Sequence, residues 1–200
     1  MTEAERYDKA WETGGYVPYI GLAYTQCLYR TRFFEGYKKI LDVGCGAGLS
    51  VRYHREVGGI EAYGIDFAKS ATDTWKKCEV DKYCSVASAE QIPFKDNEFD
   101  MVTCTEMLEH IPEESVKQVF SEMLRVGSKS FFFTVALSPA VHKMPHDGSE
   151  PHICLKPDVW WVEAMGRLGY IFTALPHVAR WVLFIQARKH VPSNIIHRRY

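Results

Sequence analysis

A glycine-rich bend follows the first apolar, strand-like segment of the chain. The residues from Ile40 read ILDVGCGAG, so Asp42 is followed by glycines at positions 44, 46 and 48. Alternate glycines let a backbone pass close to a ligand, because a Cβ there would occupy the ligand's volume. The segment Leu49 to Val57 has a helical pattern, and the free N–H groups of its first turn would face the same place. The spacing predicts a site for a ligand with polar or anionic groups.

A carboxylate and a missing glycine narrow the choice of ligand. The second strand-like segment ends in YGID, which places Asp66 at a carboxyl end, where its oxygens can accept hydrogen bonds from ribose hydroxyls. Nicotinamide-binding loops follow G-x-G-x-x-G, but leucine occupies position 49, where the third glycine would fall. The spacing therefore disfavours an NAD-dependent oxidoreductase. Asp66 alone does not separate the ligand classes, since several of them contain ribose.

Three titratable residues follow the fourth strand-like segment. Glu106, Glu109 and His110 are three and four positions apart, so on a helix they would share one face. Such a face could bind a divalent metal, supply a histidine base, or simply begin a helix. The three interpretations stay open here. We select His110 as a candidate catalytic residue and do not expect a metal.

A long loop after the fifth strand-like segment contains further titratable residues. It runs from Leu137 to Leu155 and holds His142, His146, Asp147, Glu150 and His152. Loops of this length at the carboxyl edge of a parallel sheet often cover an active site. We select His152 as a second candidate catalytic residue; the alternative is a solvated loop in which histidines cluster by chance. A zinc site built from three of these histidines matches no firm ligand spacing.

Strand-like and helical segments alternate and would position these groups. Strands are predicted at Lys39–Val43, Glu61–Ile65, Tyr83–Ala87, Phe99–Cys104 and Ser130–Val135. Helices are predicted at Glu113–Arg125 and from Pro157 to Gly169. This alternation predicts a mainly parallel sheet covered by helices on both faces. Two further strands, Tyr170–Ala174 and Arg180–Ala187, have no helix between them and should pair antiparallel at the sheet edge.

Aromatic residues are dense near the amino terminus. They are Tyr7, Trp11, Tyr16 and Tyr19. Aromatic faces would suit a cationic ligand, and we select Tyr16 as a candidate contact. The alternative is core packing by the first helix. In that case its inner side would carry Ile20, Ala23, Cys27 and Leu28.

Composition limits the classes of partner. The 200 residues are 46% hydrophobic, which is enough for one domain with a sizeable core. The 24 basic and 25 acidic residues give a formal charge of −1, so nucleic acid and anionic membranes are not expected partners. The six cysteines form no C-x-x-C pair, and we find neither a secretory signal nor a membrane-spanning run. These features predict reduced thiols and a cytoplasmic location.

A longer stretch carries a family resemblance. The residues ASAEQIPFKDNEFDMVTCTEMLEHI, from Ala87 to Ile111, stand with ILDVGCGAG and YGID in an order and spacing that resemble the class I S-adenosylmethionine-dependent methyltransferases. The resemblance covers roughly residues 38 to 135. It implies a Rossmann-like fold with a seven-stranded sheet, mainly parallel with an antiparallel edge hairpin. It also implies S-adenosylmethionine as the cofactor.

The resemblance assigns parts of the cofactor to residues of this chain. The loop from Asp42 to Gly48 would hold the methionine part, Asp66 the ribose, and Ser88 with Ala89 would border the adenine. Cys104 and Thr105 would line the sulfonium. With their neighbours, the implied cofactor-binding residues are Tyr16, Asp42, Gly44, Cys45, Gly46, Gly48, Asp66, Phe67, Ser88, Ala89, Glu90, Cys104 and Thr105. Many relatives have aspartate where this chain has Ser88, so we expect weaker adenine binding or help from Glu90 or Gln91.

The same resemblance implies a function. The string EMLEHIP, from Glu106, looks like the ubiquinone-pathway O-methyltransferases, and a related Glu-x-x-Glu-His arrangement with a later histidine holds a metal in small-RNA 2′-O-methyltransferases. We expect methyl transfer to a small-molecule or sugar acceptor, on oxygen. The alternatives are a nucleic-acid or protein methyltransferase and a non-catalytic S-adenosylmethionine-binding protein. We expect a single domain with a helical lid at 1–36, a catalytic core at 37–188 and a tail at 189–200. The sequence predicts no oligomeric state.

Overall fold

The computed structural model describes residues 2–13, 20–174 and 182–189. Two helices, α1 (Glu3–Glu12) and α2 (Ile20–Arg30), precede the sheet. The other helices are α3 (Leu49–Glu56), α4 (Ala71–Lys77), α5 (Glu113–Val126) and α6 (Asp158–Gly166). The strands are β1 (Lys39–Val43), β2 (Glu61–Asp66), β3 (Cys84–Val86), β4 (Phe99–Thr105), β5 (Gly127–Ala136), β6 (Tyr170–Ala174) and β7 (Val182–Lys189). None of the described helices is long and apolar enough to cross a bilayer.

The strands form one sheet in the order β3-β2-β1-β4-β5-β7-β6. The first five in this order are parallel, which confirms the predicted Rossmann-like α/β arrangement. In the backbone pairing, β7 runs antiparallel to both β5 and β6. The predicted start of the last strand, Arg180, lies outside the described residues. Because β1 is central and parallel to its neighbours, the loops after β1, β2 and β4 all open at the same edge of the sheet.

Alternating side chains on the central strands supply both halves of the core. On β5, Phe131 and Phe133 pack on one face and Phe132 on the other. The first face is covered by α5 and α6, through residues that include Val119, Phe120 and Trp161. The predicted inner face of α5 is confirmed except that Leu124 is only half-buried. A sheet buried on both sides holds its loops rigidly in place.

The predicted inner side of the early helix is found only in part, since Leu28 packs against the core. In α2, Ala23 and Cys27 are exposed, whereas Thr25 is buried and its hydroxyl donates to Ser50 Oγ of α3 at 3.1 Å. The helix also passes close to β4, because a Cβ on Gly21 would lie 2.8 Å from Thr105 Oγ1. A polar, small-residue face therefore packs here, and apolar periodicity alone could not reveal it.

Candidate active site

The bend after β1 needs its glycines for two separate reasons. Gly44, Gly46 and Gly48 all have positive φ, at +74°, +50° and +73°. This region favours glycine, because a Cβ there is strained. In addition, a Cβ on Gly44 would lie 2.5 Å from Met107 Cγ, so another side chain would displace the loop after β4. The glycines of the bend therefore leave space for a ligand beside the backbone at the carboxyl edge of the sheet.

Asp66 joins the first two loops at this edge. Its Oδ2 accepts from the Gly46 N–H at 2.9 Å and its Oδ1 from the Ala68 N–H at 3.0 Å. Burial raises the pKa of this carboxyl, and the backbone N–H bonds oppose the rise. Each oxygen keeps further acceptor capacity, so the carboxylate can still bind hydroxyls of a ligand.

A cavity begins at Asp66 and extends across the sheet edge. Phe67, Ser88, Ala89 and Glu90 line it on the side of β2 and β3. On the opposite side its lining is Gly44, Met107, His110, Ile111, Pro112 and Val119, and α1 contributes Glu3. The predicted residues from the first, second and third loops therefore share one cavity with His110. The Ser88 hydroxyl oxygen accepts from the Glu90 N–H at 3.1 Å, so it makes a hydrogen bond within the turn that it begins.

Asp42 lies beneath the bend. Its side chain is buried, and the Thr103 hydroxyl donates to Oδ1 at 2.8 Å. Burial raises the pKa of Asp42 to about 7, while the Thr103 hydrogen bond acts in the opposite direction. Asp42 is thus a carboxyl that changes charge near neutral pH. Thr103 was not selected from the sequence, because a threonine on a buried strand gives no signal of its partner.

Cys45, Cys104 and Thr105 were predicted to contact the cofactor, but none of the three lines this cavity. The Cys45 side chain packs against β2, since a Cβ on Gly64 would lie 2.7 Å from its Sγ, and the pKa of Cys45 is raised first by burial and then by Cys84. Cys104 is fully buried in the core, so its side chain is turned away from the cavity, and its part in lining the sulfonium stays a prediction. Thr105 lies against α2. Tyr16 lies outside the described residues.

The predicted helical face of Glu106, Glu109 and His110 is not an α-helix. The backbone forms one turn of 3₁₀ helix at Leu108–His110, and Glu106 precedes it with a φ of +53°. The two carboxyl groups nevertheless lie side by side. Burial raises the pKa of Glu106 and raises that of Glu109 well above its usual range, and the charge of Glu106 adds to the shift of Glu109. Because the charge of Glu106 disfavours a second charge beside it, Glu109 holds its proton to a higher pH than an isolated glutamate would.

His110 and His152, which are 42 positions apart in the sequence, lie against each other. Their rings meet edge to face with centroids 4.9 Å apart. His110 Nδ1 lies 3.0 Å from the Pro151 carbonyl oxygen, and His152 Nδ1 lies 2.7 Å from the Ser138 carbonyl oxygen. A carbonyl can only accept, so both Nδ1 atoms must carry a proton, and the Nε2 atom of a neutral ring then keeps its lone pair. Burial lowers the pKa of His110 to about 4, so this ring is neutral near pH 7.

The loop that carries His152 is fixed to the carboxylate pair. The Ile153 and Cys154 N–H groups donate to the Glu109 carbonyl at 2.9 and 3.0 Å. The Glu109 side chain accepts from the Ala136 N–H through Oε1, while its buried Oε2 has no hydrogen-bond partner. The predicted histidine-rich loop is therefore attached to the turn that carries Glu109, although none of its residues, His152 included, lines the cavity. Its anchors are backbone groups, which the sequence pattern cannot identify.

The arrangement could also hold a cation. One ligand atom from each of Glu109, His110 and His152 lies within 4.8 Å of the others. The unpartnered Glu109 Oε2 and the two Nε2 lone pairs are donors that divalent metals use, so these residues fit such an ion. Among the described residues, His142 and His146 belong to no group of this kind, so the structure does not bring His142, His146 and His152 together as a set of ligands.

Comparisons with known proteins agree with this geometry. Residues 41–132 match a family described as a methyltransferase domain. A ubiquinone biosynthesis O-methyltransferase of Pseudomonas putida (strain F1) is 32% identical over 122 residues, which are 56% of this chain and 51% of the relative. That of Pseudomonas fluorescens (strain SBW25) is 33% identical over 129 residues, 60% of this chain and 54% of the relative. The chain thus spans about half the length of the curated relatives it matches.

Solved structures share the fold. A protein of Pyrococcus horikoshii OT3 superposes with a TM-score of 0.68 at 17% identity, covering 86% of this chain and 91% of that one. Magnesium protoporphyrin IX methyltransferase from Synechocystis PCC 6803, solved with bound S-adenosylmethionine, gives a TM-score of 0.59 at 17% identity over 84% and 76% of the two chains. Residues 41–132 of this chain are therefore similar to a methyltransferase domain, and the fold is that of solved methyltransferase structures.

Proposed function

We propose that the chain transfers the methyl group of S-adenosylmethionine to an oxygen atom of a small-molecule acceptor, which includes sugars. The observation that carries the proposal is that His110 lines the same cavity as Gly44 and Asp66. A histidine Nε2 lone pair therefore stands at one end of a cleft whose other end has the polar groups that suit an adenosine. The name of the curated relatives, O-methyltransferases, supports oxygen as the methylated atom.

The cofactor assignment follows the cavity. Asp66 would accept from the ribose hydroxyls, Phe67, Ser88, Ala89 and Glu90 would border the nucleoside, and the loop Asp42–Gly48 would hold the methionine part. Cys45, Cys104 and Thr105 would act through their backbone or by packing. Tyr16 stays a proposed contact. When bound, the cofactor supplies an electrophilic methyl group on a sulfonium.

The two histidines would share the work on the acceptor. Methyl transfer is an in-line displacement, so the protein mainly has to align the acceptor oxygen and accept its proton. Because His110 has a pKa of about 4, it is a weak base and would orient the hydroxyl through Nε2. His152 would take the proton. The Glu106 carboxyl interacts electrostatically with His152, and a carboxylate near an imidazolium stabilises its charge.

The proposal includes the wider organisation of the chain. It assumes a single domain with a lid at 1–36, a core at 37–188 and a tail at 189–200, and a seven-stranded sheet ending in an antiparallel hairpin. The support for the hairpin is the backbone pairing of β7. A cytoplasmic location is proposed because all six cysteines are free. Nucleic acid and membrane partners are not proposed, since the formal charge is −1.

A second candidate function is a methyl transfer in which a divalent metal holds the acceptor. The donor set Glu109, His110 and His152 would suit a divalent metal, which supplies Lewis-acid polarisation of an acceptor oxygen when bound. The resemblance to metal-binding 2′-O-methyltransferases favours the same residues. Titration with Mn²⁺ or Zn²⁺ in a calorimeter, compared with Glu109→Gln, decides between the two. Binding by the unsubstituted chain that the variant loses would favour the metal.

The test of the main proposal has two stages. Calorimetry should detect S-adenosylhomocysteine binding, with no heat from NAD as the matched nucleotide control. Labelled S-adenosylmethionine is then incubated with panels of phenols, catechols and sugars, with and without a chelator. Methylated product that disappears in His152→Asn, with S-adenosylhomocysteine affinity retained, supports the proposal. Binding of S-adenosylhomocysteine without any methyl transfer would favour the non-catalytic alternative. A chain that binds NAD but not S-adenosylhomocysteine would contradict the cofactor assignment.

A further inference from the structure

Helix α1 touches both the cofactor cavity and the histidine pair. Its start is fixed by reciprocal bonds, because the Glu5 N–H donates to the Thr2 hydroxyl and the Thr2 N–H donates to the Glu5 carboxylate. One helical position, Glu3, lines the cavity, and the Asp8 carboxylate accepts from Ser70 after β2 at 2.7 Å. Helix α1 is therefore attached through Asp8 to the segment that follows β2, and this attachment does not involve the histidines.

Two adjacent residues of α1 reach the loop that carries His152. Arg6 is almost fully buried, and its guanidinium donates to Ser149 Oγ at 2.7 Å and to the Glu150 carbonyl at 2.6 Å. The next residue, Tyr7, is also buried and lies at 2.6 Å from His110 Nδ1 through its hydroxyl oxygen. The helix thus holds the backbone of residues 149–151 on one side and the His110 ring on the other.

The proton positions around His110 follow from which atoms can donate. Tyr7 Oη, His110 Nδ1 and the Pro151 carbonyl oxygen form a triangle with edges of 2.6, 3.0 and 3.5 Å. If the tyrosine donated to Nδ1, two lone pairs would face each other across the 3.0 Å edge. If Nδ1–H donates to both oxygens, the tyrosine can donate to the carbonyl and no lone pairs oppose each other. Only the second arrangement leaves Nε2 unprotonated.

Tyr7 also contacts the cofactor side. Its ring lies 5.5 Å from that of Phe67, which lines the cavity directly after Asp66, and 5.6 Å from the His110 ring. The same side chain therefore contacts one residue of the proposed nucleoside site and one of the proposed acceptor site.

We infer that Tyr7 and Arg6 are positioning residues for the proposed methyl transfer: through them α1 fixes the ring orientation and Nδ1–H tautomer of His110, and so the Nε2 lone pair that faces the acceptor. The inference rests on the proposed function for its effect on turnover. The state of the His110 ring is a property of the protein alone and can be measured without cofactor or acceptor.

The test compares two tyrosine-to-phenylalanine variants of the full chain. Tyr7→Phe keeps the ring against Phe67 and removes the hydroxyl. Tyr29→Phe is the matched control, since Tyr29 Oη lies 2.9 Å from His54 Nδ1, a bond of the same kind on α2 and α3. Long-range ¹H–¹⁵N spectra of the imidazoles, recorded in chelator and assigned with His110→Gln and His152→Gln, report each tautomer. His152 is an internal control, because its Nδ1 partner is Ser138.

We expect His110 in the Nδ1–H form in the unsubstituted chain and averaged signals for it in Tyr7→Phe, with His152 unchanged. Tyr29→Phe should leave both unchanged. On an acceptor found by the methyl-transfer screen, Tyr7→Phe should lower kcat about tenfold, because the hydroxyl orients His110 and does not itself touch the acceptor, and should change the S-adenosylhomocysteine Kd less than about twofold. If Tyr7→Phe does not fold, Arg6→Met should give the same averaging.

Unaltered His110 signals in Tyr7→Phe, or an Nε2–H tautomer in the unsubstituted chain, would overturn the inference. So would an equal fall of kcat in Tyr7→Phe and Tyr29→Phe, since that is the result of a general loss of stability. A chain that shows the expected spectra but binds no S-adenosylhomocysteine would instead contradict the proposed function and leave the positioning of His110 established.

Discussion

Replacement of Asp66 by asparagine tests most directly whether this carboxylate holds the ribose of the cofactor. In the structure each carboxylate oxygen accepts one backbone N–H, from Gly46 and from Ala68, and keeps capacity for a ribose hydroxyl. The amide of asparagine has one acceptor oxygen and one donor nitrogen. Whichever way it turns, its NH₂ group faces a backbone N–H, from Gly46 or from Ala68, so two donors oppose each other. Asp66→Asn therefore keeps the size of the side chain and removes both its charge and half its acceptors.

The magnitude follows from the bonds lost. Hydrogen bonds to a charged group contribute about 1.5–3 kcal/mol each, so losing one and weakening the other should cost about 3 kcal/mol of binding. At 1.4 kcal/mol for each factor of ten, the Kd for S-adenosylhomocysteine should rise about a hundredfold. The free energy of unfolding should also fall by about 1–3 kcal/mol, because one N–H of the bend loses its acceptor.

Isothermal calorimetry with S-adenosylhomocysteine measures the first effect and urea unfolding the second. Glu61→Gln is the matched control: Glu61 lies at the other end of the same strand, is exposed, and has surface partners, the Tyr63 hydroxyl and, at 3.8 Å, the Lys39 ammonium. Its Kd should stay within about twofold of the unsubstituted chain. If Asp66→Asn folds and its Kd for S-adenosylhomocysteine stays within threefold of that of the unsubstituted chain, Asp66 does not bind the cofactor. The carboxylate would then serve only to accept from the backbone of the loops.

Three further outcomes are expected. Gly44→Ala should abolish detectable S-adenosylhomocysteine binding and lower the melting temperature in differential scanning fluorimetry, since its φ is +74° and its Cβ would lie 2.5 Å from Met107 Cγ. Ser88→Asp should tighten S-adenosylhomocysteine binding about fivefold by calorimetry, because a carboxylate accepts from the adenine amino group more strongly than a hydroxyl does; an unchanged Kd would place the adenine elsewhere. Asp42→Asn should remove a pH dependence of stability. The pKa of Asp42 is about 7 in the folded chain and 3.8 for an unperturbed aspartate, so the folded chain holds a proton over pH 4–7 that the unfolded chain has lost. The free energy of unfolding therefore falls as pH rises through that window, by up to about 4 kcal/mol. Urea unfolding of both proteins at pH 5 and pH 8 measures the difference, and equal slopes would contradict the shift.

The sequence by itself determined the local parts of this protein. The bounds of β1 match the prediction, as do the glycine bend and the amphipathic face of α5, because each depends on neighbouring residues: alternation, positive φ and helical period. Asp66 could be selected for the same reason, since the carboxyl end of a parallel strand is itself a local signal. The resemblance to methyltransferases rests on motifs within roughly residues 38 to 135, and the match of residues 41–132 to a methyltransferase domain agrees with it.

Only the tertiary structure decided which groups meet. Glu106, Glu109 and His110 were expected on an α-helix, but the chain makes a 3₁₀ turn there, since the Glu106 N–H bonds to Thr134 of the neighbouring strand. Cys104 points into the core because strand pleating turns it away from the cavity. The partners of His110 and His152 are Tyr7 and the carbonyls of Pro151 and Ser138. Backbone carbonyls are present at every residue, so no sequence pattern marks the few that orient a catalytic ring.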